Sequence, residues 1–188
     1  YVLNEPGKIG GDKVYDSSEL IFAHSNGLAQ FAPKGHILQT PHIELDLFKN
    51  NNIDRKGTCF WVGKGQNVTR KPELEELEIT YTYPESREEL VYIFNTKEVF
   101  YTYDDFTCVI DEARLCGCPV VLLNDNSNKT GNLKENKNGL AFGISELEYA
   151  KKTIGKFNKL YTKQHLALFE KQLKSFIKLT NLSINGVD

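Results

Sequence analysis

Two carboxylates, Asp104 and Glu112, stand with seven residues between them in the stretch FYTYDDFTCVIDEARLCGCPVVLL, residues 100–123. Asp105, Phe106 and Thr107 follow the first acid directly. Carboxylates read hydroxyl groups by accepting their hydrogen bonds. The pattern around the two acids names the elements that must hold them. An apolar run, Val99-Phe100-Tyr101, leads into the polar turn Tyr103-Asp104-Asp105. A helical segment over about Thr107 to Cys116 follows, Gly117-Cys118-Pro119 breaks it, and Val120-Val121-Leu122-Leu123 is a second apolar run. Strand, loop, helix, turn and strand in that order make the βαβ unit of a parallel sheet. Ligands of such sheets sit beyond the carboxyl ends of the strands, at the helix N-termini. Asp104, Asp105, Phe106 and Thr107 fall there. The structural alternatives are an N-cap for Asp104 and a solvent-facing helix position for Glu112.

A second candidate lies upstream. The strand Thr58-Cys59-Phe60-Trp61-Val62 runs straight into Gly63-Lys64-Gly65-Gln66-Asn67-Val68-Thr69-Arg70-Lys71-Pro72. Glycines after a strand let backbone amides approach a ligand, and Lys64, Arg70 and Lys71 supply positive charge, a combination suited to a phosphate. GxxxxGK[ST] is absent, so this is not a Walker loop. A solvated basic turn accounts for the same residues.

Composition limits the classes open to the chain. It has 188 residues, a net charge of -2, 40% hydrophobic and 26% charged residues, as a soluble domain does. Near-neutral charge gives no support to nucleic-acid binding, which wants a basic face. The apolar runs fall far short of the roughly 20 residues of a membrane helix. No methionine is present and the chain opens on Tyr1-Val2-Leu3, so a fragment of a longer protein is expected, with a processed N-terminus the alternative. Cys59, Cys108, Cys116 and Cys118 lack paired CxxC spacing and a nearby His. They are expected as buried free thiols in a reducing compartment, with no metal site.

The remaining elements follow in order. Residues 1–34 are turn-rich around one strand candidate, Glu19–Ser25, and His36–Gln39 is another. Pro72–Leu77 reads as a short acidic helix and Glu78–Tyr83 as a strand. Ser86 is placed to cap a helix with Glu88 and Glu89 in its first turn and Leu90, Val91 and Phe94 inward. Lys97–Thr102 is the strand entering the opening motif. Residues 124–138 form a polar loop, with a lid as its functional reading, and Gly139–Gly143 is a short strand. Two lysine-bearing helices are expected at 146–161 and 163–180, the second capped by Thr162. His24, His36, His42 and His165 acquire no role. The alternation over 58–140 predicts an α/β fold, a Rossmann-like doubly wound parallel sheet with C-terminal helices.

Asp104 to Val121 resembles the EGFGLxxxEAxACGxPVV signature of GT-B glycosyltransferases. Phe106, Glu112, Ala113, Cys116, Gly117, Pro119, Val120 and Val121 match, and Asp104 takes the place of the first Glu. Phe60-Trp61-Val62-Gly63-Lys64 is similar to that family's strand plus VGR, and Pro41 to Phe48 to its PNGVDxxxF entry into the C-terminal domain. Asp105 and Thr107 replace the two glycines that flank the family's Phe.

The resemblance, closest to bacterial surface-polysaccharide enzymes, implies one half of a GT-B fold. It divides the chain into a link from an N-terminal domain (1–34), a donor-binding domain (35–180) and a tail (181–188). It implies binding of a nucleotide-diphosphate sugar for transfer to a polysaccharide or lipid-linked acceptor, without a metal cofactor. Glu112 would take the ribose hydroxyls, Asp104 the donor sugar, Gly63 and Lys64 with Arg70 or Lys71 the diphosphate, and Tyr83 the base. Asp105, Phe106 and Thr107 would border the donor. The acid-x7-acid spacing leans toward retention. The acceptor would come through the N-terminal domain, and the whole enzyme would be cytoplasmic or peripheral on the inner face of the membrane. A nucleotide-sugar epimerase and a non-catalytic nucleotide-binding module are the competing readings.

Overall fold

The computed structural model describes residues 19–24, 26–30, 35–39, 43–105, 107–124 and 137–185. They fall into two compact units, one of residues 1–42 with 163–188 and one of residues 43–162. The donor-binding domain expected over 35–180 is thus wider than the compact unit, because 35–42 and 163–180 group with the other body.

The 43–162 unit is built on a five-stranded sheet of β3 (Thr58–Trp61), β4 (Leu77–Ile79), β5 (Val99–Thr102), β6 (Val120–Leu122) and β7 (Leu140–Phe142). The order is β4-β3-β5-β6-β7 and every pair is parallel. Sheets of this kind are apolar on both faces, which is why β5 and β6 read as unbroken apolar runs rather than alternating ones. One face carries Cys59, Trp61, Phe100, Val120, Leu122 and Leu140. It packs on α2 (Arg87–Thr96), α3 (Val109–Leu115) and Phe157 and Tyr161 of α4 (Leu147–Asn185). Phe94 of α2 meets Phe100 of β5 edge-to-face, with ring centroids 5.2 Å apart. The other face carries Phe60, Tyr101, Val121 and Ala141 under Val68, Leu74, Leu147 and Ala150. The fold is a doubly wound α/β sheet, as the strand–helix alternation predicts.

Local chemistry sets the ends of the elements. Ser86 caps α2 by accepting the Glu89 N–H at 3.0 Å. The strand expected to reach Tyr83 ends at Ile79, because the Thr80 hydroxyl accepts the N–H groups of Thr82 and Tyr83 and folds them into a turn. A guanidinium closes the far ends of two helices. Arg55 donates to the carbonyls of Phe94 and Lys97 at the end of α2 (2.5 and 3.0 Å) and of Cys116 beyond α3 (2.6 Å). These are carbonyls a helix end leaves unpaired.

In the other unit, β1 (Phe22–Ala23) and β2 (His36–Ile37) pair in parallel around α1 (Asn26–Ala29). Phe22 packs on Phe176, with centroids 4.8 Å apart, and the Gln39 N–H donates to Gln172 at 2.6 Å. The two expected C-terminal helices are one, α4, and Thr162 lies inside it rather than at a cap. No proline or glycine interrupts 156–185, so nothing in the backbone stops the helix there. Phe106, residues 1–18, most of the 124–138 loop, Pro41 and His42, and the end of the tail lie outside the described residues. Among the described residues no helix is long and apolar enough to cross a membrane.

Candidate functional site

The chain direction across the sheet reverses between β3 and β5, the neighbours from which β4 lies one way and β6 and β7 the other. A doubly wound sheet opens its ligand crevice at this switch point, beyond the carboxyl ends of the strands. The segments that emerge there are Val62-Gly63-Lys64-Gly65 after β3 and Tyr103-Asp104-Asp105 after β5. The sequence candidates from two distant stretches therefore meet.

Asp104 joins them. Its carboxylate accepts the backbone N–H of Lys64 at 3.0 Å and the indole N–H of Trp61 at 3.5 Å, and the residue is buried. It is not the cap of α3, which starts five residues later with Cys108 at its N-cap. The glycines have a reason in the same contact. Gly63 has φ of +49°, and a Cβ there would strike the Trp61 indole and the Asp104 carboxylate. A Cβ on Gly65 would strike the Tyr103 carbonyl. The two loops pack so closely that the first has no room for side chains at these positions.

Arg70 is held within the chain. It forms a bidentate pair with Glu75 (2.7 and 2.6 Å) and lies over the rings of Phe60 and Tyr103, 5.2 and 5.3 Å from their centroids. The Tyr103 hydroxyl donates to Glu75 at 2.7 Å and accepts the Lys71 N–H at 2.7 Å. The Arg70 partnership holds the Glu75 carboxyl below its ordinary pKa, against the opposing effect of burial. Among the described residues no ion pair holds the Lys71 ammonium, so Lys71 is the better placed of the two cations to meet an added anion.

Glu112 is fully buried, one turn into α3. Its Oε1 accepts from Arg87 at 2.8 Å, and its Oε2 has no hydrogen-bond partner among the described residues. Leaving a buried acceptor unmatched costs about 1–3 kcal/mol, so the atom calls for an explanation. Arg87 opens α2, keeps 44% of its side chain exposed, and lies 4.6 Å from the centre of the Phe48 ring. One of its N–H groups is used on Glu112. Cys108, expected to be buried, is instead an exposed residue beside this pair, with its sulfur partly enclosed, because it stands at the N-cap ahead of the packed turns of α3. Burial of the sulfur and the Glu112 charge push its thiol up to about 11. The other three thiols are buried, and burial pushes Cys116 up to about 12.

The turn after β4 adds aromatic surface. Tyr81 is 77% exposed and meets the Trp61 indole edge-to-face, with centroids 4.9 Å apart. Tyr83 is exposed in the same turn. Asp105 and Thr107 are partly buried, and Thr107 turns its hydroxyl toward the Val109 N–H at 3.4 Å. α3 has seven residues and begins two later than expected, so Thr107 precedes it rather than opening it.

Compared with known proteins, the chain matches no family model, no curated protein and no solved structure.

Arg87 and Tyr81 are absent from the sequence reading. A signal for Arg87 was present. A cation in the first turn of a helix opposes the helix dipole, and Arg87 stands there beside Glu88 and Glu89. Such a residue has its partner elsewhere, here the buried Glu112. Tyr81 carried no signal, because its exposure depends on the strand ending at Ile79.

Proposed function

We propose that the 43–162 unit is the donor-binding domain of a GT-B glycosyltransferase. It would hold a nucleotide-diphosphate sugar for transfer to a polysaccharide or lipid-linked acceptor. The observation that carries the reading is the Glu112 carboxylate, buried, tied on one oxygen to Arg87 and unmatched on the other. A ribose hydroxyl donating to Oε2 completes its coordination. Lys64 and Lys71 are the cations assigned to the diphosphate, whose charge grows as the bond to the sugar breaks. The exposed Tyr81 and Tyr83 are assigned to the base. Asp104 shapes the site by holding the β3 loop and is assigned to positioning rather than to the sugar. The acid-x7-acid spacing leans the stereochemistry toward retention. Transfer itself is assigned to the complete enzyme with its acceptor domain, working in the cytoplasm or on the inner face of the membrane.

Titration calorimetry with UDP, GDP and dTDP tests the reading. One of the three is expected to bind saturably, and Glu112→Ala to weaken it by about 1–3 kcal/mol, roughly 5- to 150-fold. If a folded chain binds none of them, there is no donor site here. One observation favours a non-catalytic nucleotide-binding module instead: Asp104 and Arg70 are both engaged inside the chain. That reading expects nucleotide sugars to bind no better than the matching nucleoside diphosphate.

A further inference from the structure

β4 is an edge strand. It pairs with β3 on one side and with no strand on the other among the described residues. A groove of about 920 Å³ lies beside the start of this edge, between Leu77 of β4 and the outer side of α2. Its apolar lining includes Ile53, Leu77, Tyr92 and Ile93, and Ile53 and Tyr92 are exposed. Asp54, Glu76, Glu89 and Glu98 also line it, against Lys56 and Lys97. The sequence from 73 to 98, which builds the edge and its flank, holds eight glutamates and two basic residues. Of those two, Arg87 pairs with Glu112, which leaves Lys97 as the one basic residue of this segment lining the groove.

We propose that the β4 edge docks an extended, basic segment of a partner protein as an added strand. An unpaired edge offers backbone N–H and C=O groups at strand spacing. A peptide laid along it sends alternate side chains to opposite sides. One set meets Tyr92, Ile53 and Leu77 in the groove, and the other brings Lys or Arg to the glutamate rim. The charge selects this occupant over a second copy of the chain. Pairing β4 antiparallel with its own copy brings Glu78 and its flanking glutamates against one another, and like charges across a strand pair are destabilising. The groove shares Tyr83 with the candidate nucleotide site but not Arg87, Glu112 or Asp104, and the positions substituted to test it, Tyr92 and Glu98, lie outside that site.

The probe is a fluorescent seven-residue peptide alternating lysine and valine, titrated against the full chain at low salt and followed by anisotropy. Saturable binding is expected, with slowed amide exchange at residues 77–79. The pair Tyr92→Asp and Glu98→Lys is expected to weaken it at least 10-fold while leaving the circular dichroism unchanged, since both side chains are exposed. A control peptide with proline at alternate positions keeps charge but cannot pair, and is expected to bind at least 10-fold more weakly. Equal binding of the two peptides would overturn strand addition and leave only charge attraction. Absence of binding by the folded chain, or a concentration-dependent dimer lost on Glu98→Lys, would overturn the proposal.

Discussion

A cycle of substitutions at Arg87 and Glu112 tests whether the buried carboxylate is kept for a ligand at a cost in stability. Arg87→Met removes the cation and leaves the Glu112 carboxyl enclosed without its partner. Breaking a fully buried pair costs about 3–5 kcal/mol. Arg87 is 44% exposed, so solvent screens the pair and water can follow into the vacated space, and a smaller cost of about 1–3 kcal/mol applies here. The double variant Arg87→Met with Glu112→Leu removes the charge pair and the unmatched Oε2 together. Oε2 alone costs the fold about 1–3 kcal/mol, so the double variant is expected to equal or exceed the parent in stability. Urea unfolding at pH 7 measures this through the midpoint at constant m-value. The double variant is therefore expected to be more stable than Arg87→Met by at least about 1 kcal/mol. Nucleotide binding, if the proposed function holds, is lost in both. An Arg87→Met cost below about 0.5 kcal/mol, or a double variant less stable than the single one, would refute the reasoning.

Other expectations follow from the loops. Gly63→Ala places a Cβ against Trp61 and Asp104 at positive φ, and is expected to cost about 1–3 kcal/mol and shift the Trp61 emission, the chain's sole tryptophan. An unshifted midpoint would mean that the two loops do not pack this way. The depressed Glu75 carboxyl contributes stability at neutral pH that is lost as pH falls through and below the ordinary carboxylate range. The urea midpoint of Glu75→Gln should therefore vary less between pH 6 and pH 3 than that of the parent. Cys108, with its thiol at about 11 and its side chain exposed, should be alkylated alone in the folded chain, slowly at pH 7.5 and faster as pH rises. Mass spectrometry after maleimide treatment reads this, and bound nucleotide is expected to slow it. Labelling of Cys59 in the native chain would contradict its burial.

Local patterns that depend on neighbours in sequence were legible without coordinates. Ser86, followed by Glu88 and Glu89, set the start of α2 through a hydrogen bond three residues long. The apolar runs at β3, β5 and β6 had to be buried on both faces, which required a parallel sheet with helices as connections. The breaker Gly117-Cys118-Pro119 ended α3 where glycine's φ of +79° was needed. Boundaries failed where a side chain chose between two uses. Thr80 took backbone N–H groups and turned the chain, so β4 stopped at Ile79.

For the site, sequence alone determined that Asp104 lies in the loop at the carboxyl end of a strand of a βαβ unit, that Glu112 lies in the helix that follows, and that glycines follow β3. Tertiary structure alone decided what these groups contact. Strand order brings the loops after β3 and β5 together, although 40 residues separate Lys64 from Asp104. That neighbour relation turned Asp104 into a tie between loops, and the proximity of Glu75 turned Arg70 into an internal ion pair. The helix packing that sets Arg87 against Glu112 left one carboxylate oxygen unmatched. A side chain's type fixes what it can bond, and periodicity fixes which way it faces. Which donor or acceptor reaches it first depends on pairing across the chain, which no local pattern records.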